Sequence, residues 1–183
     1  MPSTSQTQND LGHKFDSLFE DHYLAVYRYC LRRLGPVDSE DAAAEVFAVA
    51  WRRLDRVPTS ATARAFLLAV AYRVVGNQYR GRRRRARLSD RLVTERPGPV
   101  EPDAPDLDTR VLYQALDSLR EADRELLRLS SWDGLSNAEI ASVMGVNQNV
   151  IDQRLFRARS RLRHRFEDLA KKSSGIKARN AST

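Results

Sequence analysis

The apolar residues of this chain recur at helical spacing. Phe15, Leu18, Phe19, Tyr23, Val26, Tyr27, Cys30 and Leu34 return at three- and four-residue steps to one face of a helix. Gly35-Pro36 ends it, because glycine allows the chain to reverse and proline cannot continue the hydrogen-bond ladder. A second helix is predicted to open near Asp38 or Ser39, either of which has a side chain suited to the cap. Its first turn is acidic through Glu40 and Asp41, and its stripe is Val46, Phe47, Ala50, Trp51 and Leu54. Asp55 to Thr62, with Pro58, Thr59 and Ser60, reads as a loop. A third helix follows through Phe66, Leu67, Val70, Ala71, Val74, Val75 and Tyr79, and runs into Arg80, Arg82, Arg83, Arg84, Arg85 and Arg87.

Residues 94–108 hold four of the seven prolines, several acids and few apolar groups, a composition that reads as a flexible linker. The second half resumes the helical pattern near Asp108 or Thr109 with Val111, Leu112, Ala115, Leu116 and Leu119. A further helix carries Leu126, Leu127 and Leu129 towards Trp132. After Gly134 the signals sharpen. Ser136 and Glu139 have the spacing of a capping box, and the helix they open is short because Gly145 follows Met144. Gly145 suits a left-handed turn. Ala141 before it allows close crossing, and Ile151 after it supplies a packing contact, which together predict a helix-turn-helix. In the next helix Ile151, Leu155, Ala158 and Leu162 form the buried stripe, and Arg154, Arg157 and Arg161 share another face. Asn147, Gln148, Asn149 and Gln153 stand at its start. Amides pair with adenine and arginine with guanine or phosphate, so the pattern predicts a base-reading end followed by a phosphate-gripping end.

Charge sharpens this picture. The net is +7 overall, but residues 1–60 carry −2, 61–100 carry +8, 101–153 carry −7, and 154–183 carry +8. Two basic stretches on two helical modules predict two polyanion-binding surfaces. Cys30 is the only cysteine, which excludes an internal disulfide and a thiolate metal cage; its place on the apolar stripe predicts a small core residue. His13, His22 and His164 are scattered without a metal-ligand pattern. No glycine-rich phosphate loop and no nucleophile with a recognisable base appears. The sequence therefore predicts neither metal nor cofactor, no small-molecule substrate and no catalysis. Without an apolar run long enough for a membrane span, or a signal peptide, it predicts no membrane association and a cytoplasmic location.

From Phe15 to about Leu169 the chain resembles the extracytoplasmic-function sigma factors of bacterial RNA polymerase. The first half is similar to their region two through Phe15-x-x-Leu18-Phe19, Asp38 to Phe47 (DSEDAAAEVF), Trp51-Arg52-Arg53-Leu54 and Ala65 to Ala71 (AFLLAVA). The second half is similar to region four through Leu119 to Glu125 (LREADRE), Trp132 to Ser136 (WDGLS) and Arg154 to Arg159 (RLFRAR). Gly76 to Gly81 (GNQYRG) followed by arginines resembles actinobacterial members most.

The resemblance implies an all-α fold of two small helical domains. Residues 1–12 are expected to be a disordered N-terminus, and 13–92 a region-two domain that binds polymerase core and the −10 promoter element. Residues 93–108 are expected to be the linker, 109–170 the region-four helix-turn-helix domain for the −35 element, and 171–183 a disordered basic tail. It implies that Asp41, Glu45, Phe47 and Trp51 lie at or support the contact with the polymerase clamp, while region four meets the flap. Arg56, Thr59 and Ser60 lie in or beside a loop implied to capture a flipped base. Asn77, Arg80, Arg82, Arg83 and Arg84 would hold the melted strand. Extruding a base costs about a few kcal/mol, which strand capture must offset. An anti-sigma protein is implied as a further partner.

The chain departs from the family's habit in several places. Ala44 stands where glutamine is frequent and Phe66 where tryptophan is. The loop carries Val57, Ser60 and Ala63 in place of aromatic and acidic residues. Val150 and Asp152 occupy recognition-helix positions commonly held by threonine and lysine. Asp152 repels phosphate unless it reads a cytosine amino group or pairs with an arginine. The competing classes are a stand-alone helix-turn-helix regulator of duplex operators, a recombinase and a non-specific coating protein. The first leaves the arginine-rich third helix unexplained. The second needs a catalytic serine or tyrosine with positioned arginines, and the third predicts affinity that depends on salt but hardly on sequence.

Overall fold

A computed structural model describes residues 4–58, 62–88 and 107–180. The chain divides into two compact units, 1–100 and 101–183. Among the described residues every regular element is an α-helix.

The first unit contains α1 (Thr4–Leu34), α2 (Pro36–Arg52) and α3 (Thr62–Leu88), each packed on the other two. Their shared core is Val26, Tyr29, Cys30 and Leu34 from α1, Ala42, Ala43, Val46, Phe47 and Ala50 from α2, and Leu67, Leu68, Ala71, Val74 and Val75 from α3. The three buried alanines of α2 let its neighbours approach closely, and each large aliphatic contributes about 1.5–3 kcal/mol by leaving water. Cys30 is fully buried, as its place on the stripe predicts.

Two local expectations are corrected here. α2 begins at Pro36, and neither Asp38 nor Ser39 caps it. Gly35 turns the chain at φ 79°, Pro36 occupies the first turn without an N–H to satisfy, and the Ser39 hydroxyl donates back to the Pro36 carbonyl at 3.1 Å. The N-terminal stretch expected to be disordered is helical from Thr4. Once a helix has nucleated, extension adds a hydrogen bond for each residue fixed, and between Thr4 and Gly12 no proline interrupts it.

The second unit contains α4 (Leu107–Asp117), α5 (Glu121–Ser131), α6 (Asn137–Met144) and α7 (Gln148–Asn180). α7 packs against the other three. The core is drawn from Val111, Ala115, Leu116, Leu119, Leu126, Leu129, Leu135, Ile140, Val143, Ile151, Leu155 and Ala158. Arg124, buried with its apolar stem inside, closes the turn between α4 and α5. It donates to the carbonyls of Asp117 at 2.5 Å and Leu119 at 3.1 Å, and pairs with the Asp117 carboxylate at 3.3 Å. Carbonyls left over at the end of α4 are thereby satisfied. α7 extends to Asn180, so helix runs through most of the tail expected to be disordered. Residues 89–106, which include most of the expected linker, lie outside the described residues; its last two, Leu107 and Asp108, open α4.

Candidate nucleic-acid and polymerase interfaces

In the second unit the expected turn is present in detail. The Ser136 hydroxyl accepts from the Glu139 amide at 3.3 Å, and the Glu139 carboxylate accepts from the Ser136 amide at 2.8 Å and its hydroxyl at 2.7 Å. Gly145 is left-handed at φ 67°, ψ 37°, and the Val146 amide donates to the Ala141 carbonyl at 3.0 Å across the turn. Ala141 and Ile151 are buried at the crossing of α6 and α7.

That crossing sets which face of α7 is free. With Ile151, Leu155 and Ala158 inward, Gln148, Asn149, Gln153, Arg154 and Arg157 are exposed. Asn147 is exposed but already engaged, since its side-chain oxygen accepts from the Asn149 amide at 3.0 Å and caps α7. Arg161 is drawn to the domain body, its guanidinium 2.6 Å from the Asp123 carboxylate on α5. Arg159 donates to the Ser130 hydroxyl at 3.2 Å. The Asp152 Oδ1 accepts from Asn137 Nδ2 at 2.6 Å rather than from an arginine, tying α7 to the first turn of α6. Phe156, which spacing does not single out, is 76% exposed on the outer face.

In the first unit the basic end of α3 is moored. Arg82 pairs with Asp38 of α2, and the Tyr79 hydroxyl donates to the Arg33 carbonyl of α1. Arg33 is buried and stacks on Tyr29, 3.5 Å from the ring centre. Asn77, Arg80 and Arg84 are exposed, and Arg80 donates to the Asn77 side chain. Thr59, Ser60 and the side chain of Arg83 lie outside the described residues.

Before the loop the chain is tightly held. Leu54 and Val57 are buried, the Arg56 amide donates to the Arg53 carbonyl at 2.8 Å, and the ammonium of Lys14 donates to the carbonyls of Leu54 at 2.9 Å and Val57 at 3.3 Å. Sequence spacing gives no sign of Lys14, because its partners lie 40 and 43 residues away. Arg56 is exposed beside Asp55, at 3.9 Å.

On α2 the expected polymerase-facing residues separate by depth. Asp41 and Glu45 are exposed, Trp51 is 51% exposed, and Phe47 is buried beneath them. Phe47 therefore supports this surface from below. Phe15 meets Trp51 edge-on at 4.9 Å, Phe19 meets Phe47 at 4.8 Å, and Tyr23 continues the row.

Comparison with known proteins places both units in one class. Residues 18–85 match the family "Sigma-70 region 2" and residues 109–162 match "Sigma-70, region 4". The chain belongs to the sigma-70 family, whose members serve transcription initiation by binding RNA polymerase and promoter DNA. Within that family it is an extracytoplasmic-function sigma factor. It is 29% identical to the ECF RNA polymerase sigma factor SigL of Mycobacterium tuberculosis over 84% of this chain and 89% of the relative. It is 27% identical to the RNA polymerase sigma factor CnrH of Cupriavidus metallidurans over 68% and 71%. Among solved structures, the sigma factor RpoE in complex with the anti-sigma factor NepR from Bartonella quintana shares the fold at TM-score 0.63 and 22% identity, covering 90% of this chain and 98% of that one. CnrH in complex with the cytosolic domain of CnrY gives TM-score 0.56 and 26% identity over 84% and 88%. No helix among the described residues is long and apolar enough to cross a membrane.

Proposed function

We propose that the two units divide promoter recognition between them. Gln148, Asn149, Gln153, Arg154 and Arg157 read and grip the −35 element, with Asn147 ordering the helix start and Arg161 steadying the helix against α5. Arg56, Thr59 and Ser60 serve capture of a −10 base, and Asn77, Arg80, Arg82, Arg83 and Arg84 hold the opened strand. Asp41, Glu45 and Trp51, over Phe47, meet the polymerase clamp, while region four meets the flap. Residues 13–92 and 109–170 are the working domains and 93–108 the tether. The chain acts in the cytoplasm and carries out no chemistry of its own; nucleotide addition belongs to the polymerase. An anti-sigma protein restrains it, a reading supported by the solved sigma factor RpoE of the same fold, which is in complex with the anti-sigma factor NepR.

The observation that carries this reading is a helix-turn-helix whose α7 exposes amides and arginines, in the same chain as a three-helix unit with an acidic and aromatic outer face. Run-off transcription with purified core polymerase on fragmented genomic DNA tests it. Discrete start sites that require both units are expected. Start-site selection by the second unit alone would indicate a stand-alone operator-binding regulator, and no discrete sites with active core would refute the assignment.

A further inference from the structure

α7 enters its first turns among groups suited to an anionic partner, yet Asp152 is exposed among them. A bare carboxylate beside phosphates is repelled, so its position calls for a partner. Among the described residues that partner is Asn137, whose amide holds Oδ1 at 2.6 Å; Oδ2 is left without a protein donor. Asn137 stands at the first position of α6, directly after the Ser136 cap. The carboxylate is thus oriented by the other helix of the motif, a second fixed point in addition to its own backbone.

An ionised carboxylate only accepts hydrogen bonds. In the major groove, thymine O4 and guanine O6 and N7 are acceptors and repel it. Adenine offers its N6 amine beside the N7 acceptor, and cytosine offers its N4 amine with no acceptor next to it on that base's edge. A carboxylate therefore favours cytosine over the other three bases. Phe156 lies four residues further along the same face and is 76% exposed, so it presents apolar surface beside the carboxylate and excludes water from a bond made there.

We propose that Asp152, oriented by Asn137, is a specificity residue that accepts a hydrogen bond from the exocyclic amine of a cytosine in the upstream promoter element. The inference rests on docking of α7 in the major groove. Asn137 is a positioning residue: it acts through Asp152 and touches no base itself.

The test uses the full chain with core polymerase on templates whose upstream element is randomised, followed by sequencing of the transcribed templates. Wild type is expected to favour cytosine at one position by roughly tenfold. Asp152→Ala should lose that preference and leave the other positions unchanged. Asp152→Asn should move it to adenine, since an amide pairs with N6 and N7 together. Asn137→Ala should weaken it at the same position only. If Asp152→Ala keeps the wild-type profile, or improves use of every template equally, Asp152 reads no base and the proposal is overturned. If wild type selects no upstream element at all, docking of α7 itself fails, which is a different result from an unchanged profile in the variants.

Discussion

The position of α7 depends on one residue, and replacing it gives a quantitative test. Gly145 sits at φ 67°, ψ 37°, and a Cβ built there meets nothing within 4 Å. Gly145→Ala therefore creates no clash with a neighbour, and its whole penalty comes from the left-handed backbone, about 1–2 kcal/mol. Asparagine tolerates this conformation better, so Gly145→Asn should lose less; Gly145→Val, β-branched, should lose more. The chain has two tryptophans, Trp51 in the first unit and Trp132 in the second. In a Trp51→Phe background, fluorescence during urea unfolding reports the second unit alone. With a slope of about 1–2 kcal/mol per molar for a small domain, the alanine midpoint should fall by roughly 1 M. Wild-type stability in Gly145→Ala, or valine no worse than alanine, would refute the claim that the turn demands glycine.

Other outcomes follow from contacts described above. Lys14→Met removes both carbonyl bonds and should weaken local order after α2 by about 1 kcal/mol, after allowance for partial exposure. Trypsin cleavage after Arg53 and Arg56 should then accelerate several-fold, and unchanged cleavage rates would exclude the clamp. Arg154→Gln and Arg157→Gln should each make the salt dependence of −35 duplex binding shallower by about one unit of log–log slope. Arg161→Gln should leave that slope nearly unchanged and lower the stability of the second unit by a few tenths to about 1 kcal/mol, because its half-exposed guanidinium pairs with Asp123. Equal slope changes for all three arginines in binding titrations would contradict this division.

What the sequence made legible was whatever depends on near neighbours. The apolar steps of Val26, Cys30 and Leu34, and of Ile151, Leu155 and Ala158, are set by helix geometry alone and return as core. The Ser136–Glu139 box and Gly145 are likewise readable, since every partner lies within a turn or so. Features built from distant residues were hidden. Arg82 meets Asp38 and Arg161 meets Asp123 across 44 and 38 residues, and long charged side chains carry no periodic mark of whom they pair with. In a count of basic residues both arginines look available to DNA. Tyr29 was missed for a related reason: it is buried beneath Arg33, and a charged neighbour four residues on argues for the surface. α2 began three residues before Ser39 because a positive-φ glycine and a proline did together what a polar cap does elsewhere. The residues proposed for the two promoter contacts were legible only as chemistry, amides and arginines on open faces, and not as base-by-base pairs.

The ion pair between Asp38 and Arg82 changes how the arginine run should be counted. A phosphate approaching Arg82 finds a carboxylate already seated there, so binding exchanges one anion for another and yields only their difference. Arg80 and Arg84, lying on either side along the same helix, face no such competitor among the described acids. In the proposed strand contact the grip falls on Arg80 and Arg84, which share one face of α3, while Arg82 on another face first holds α3 against the start of α2.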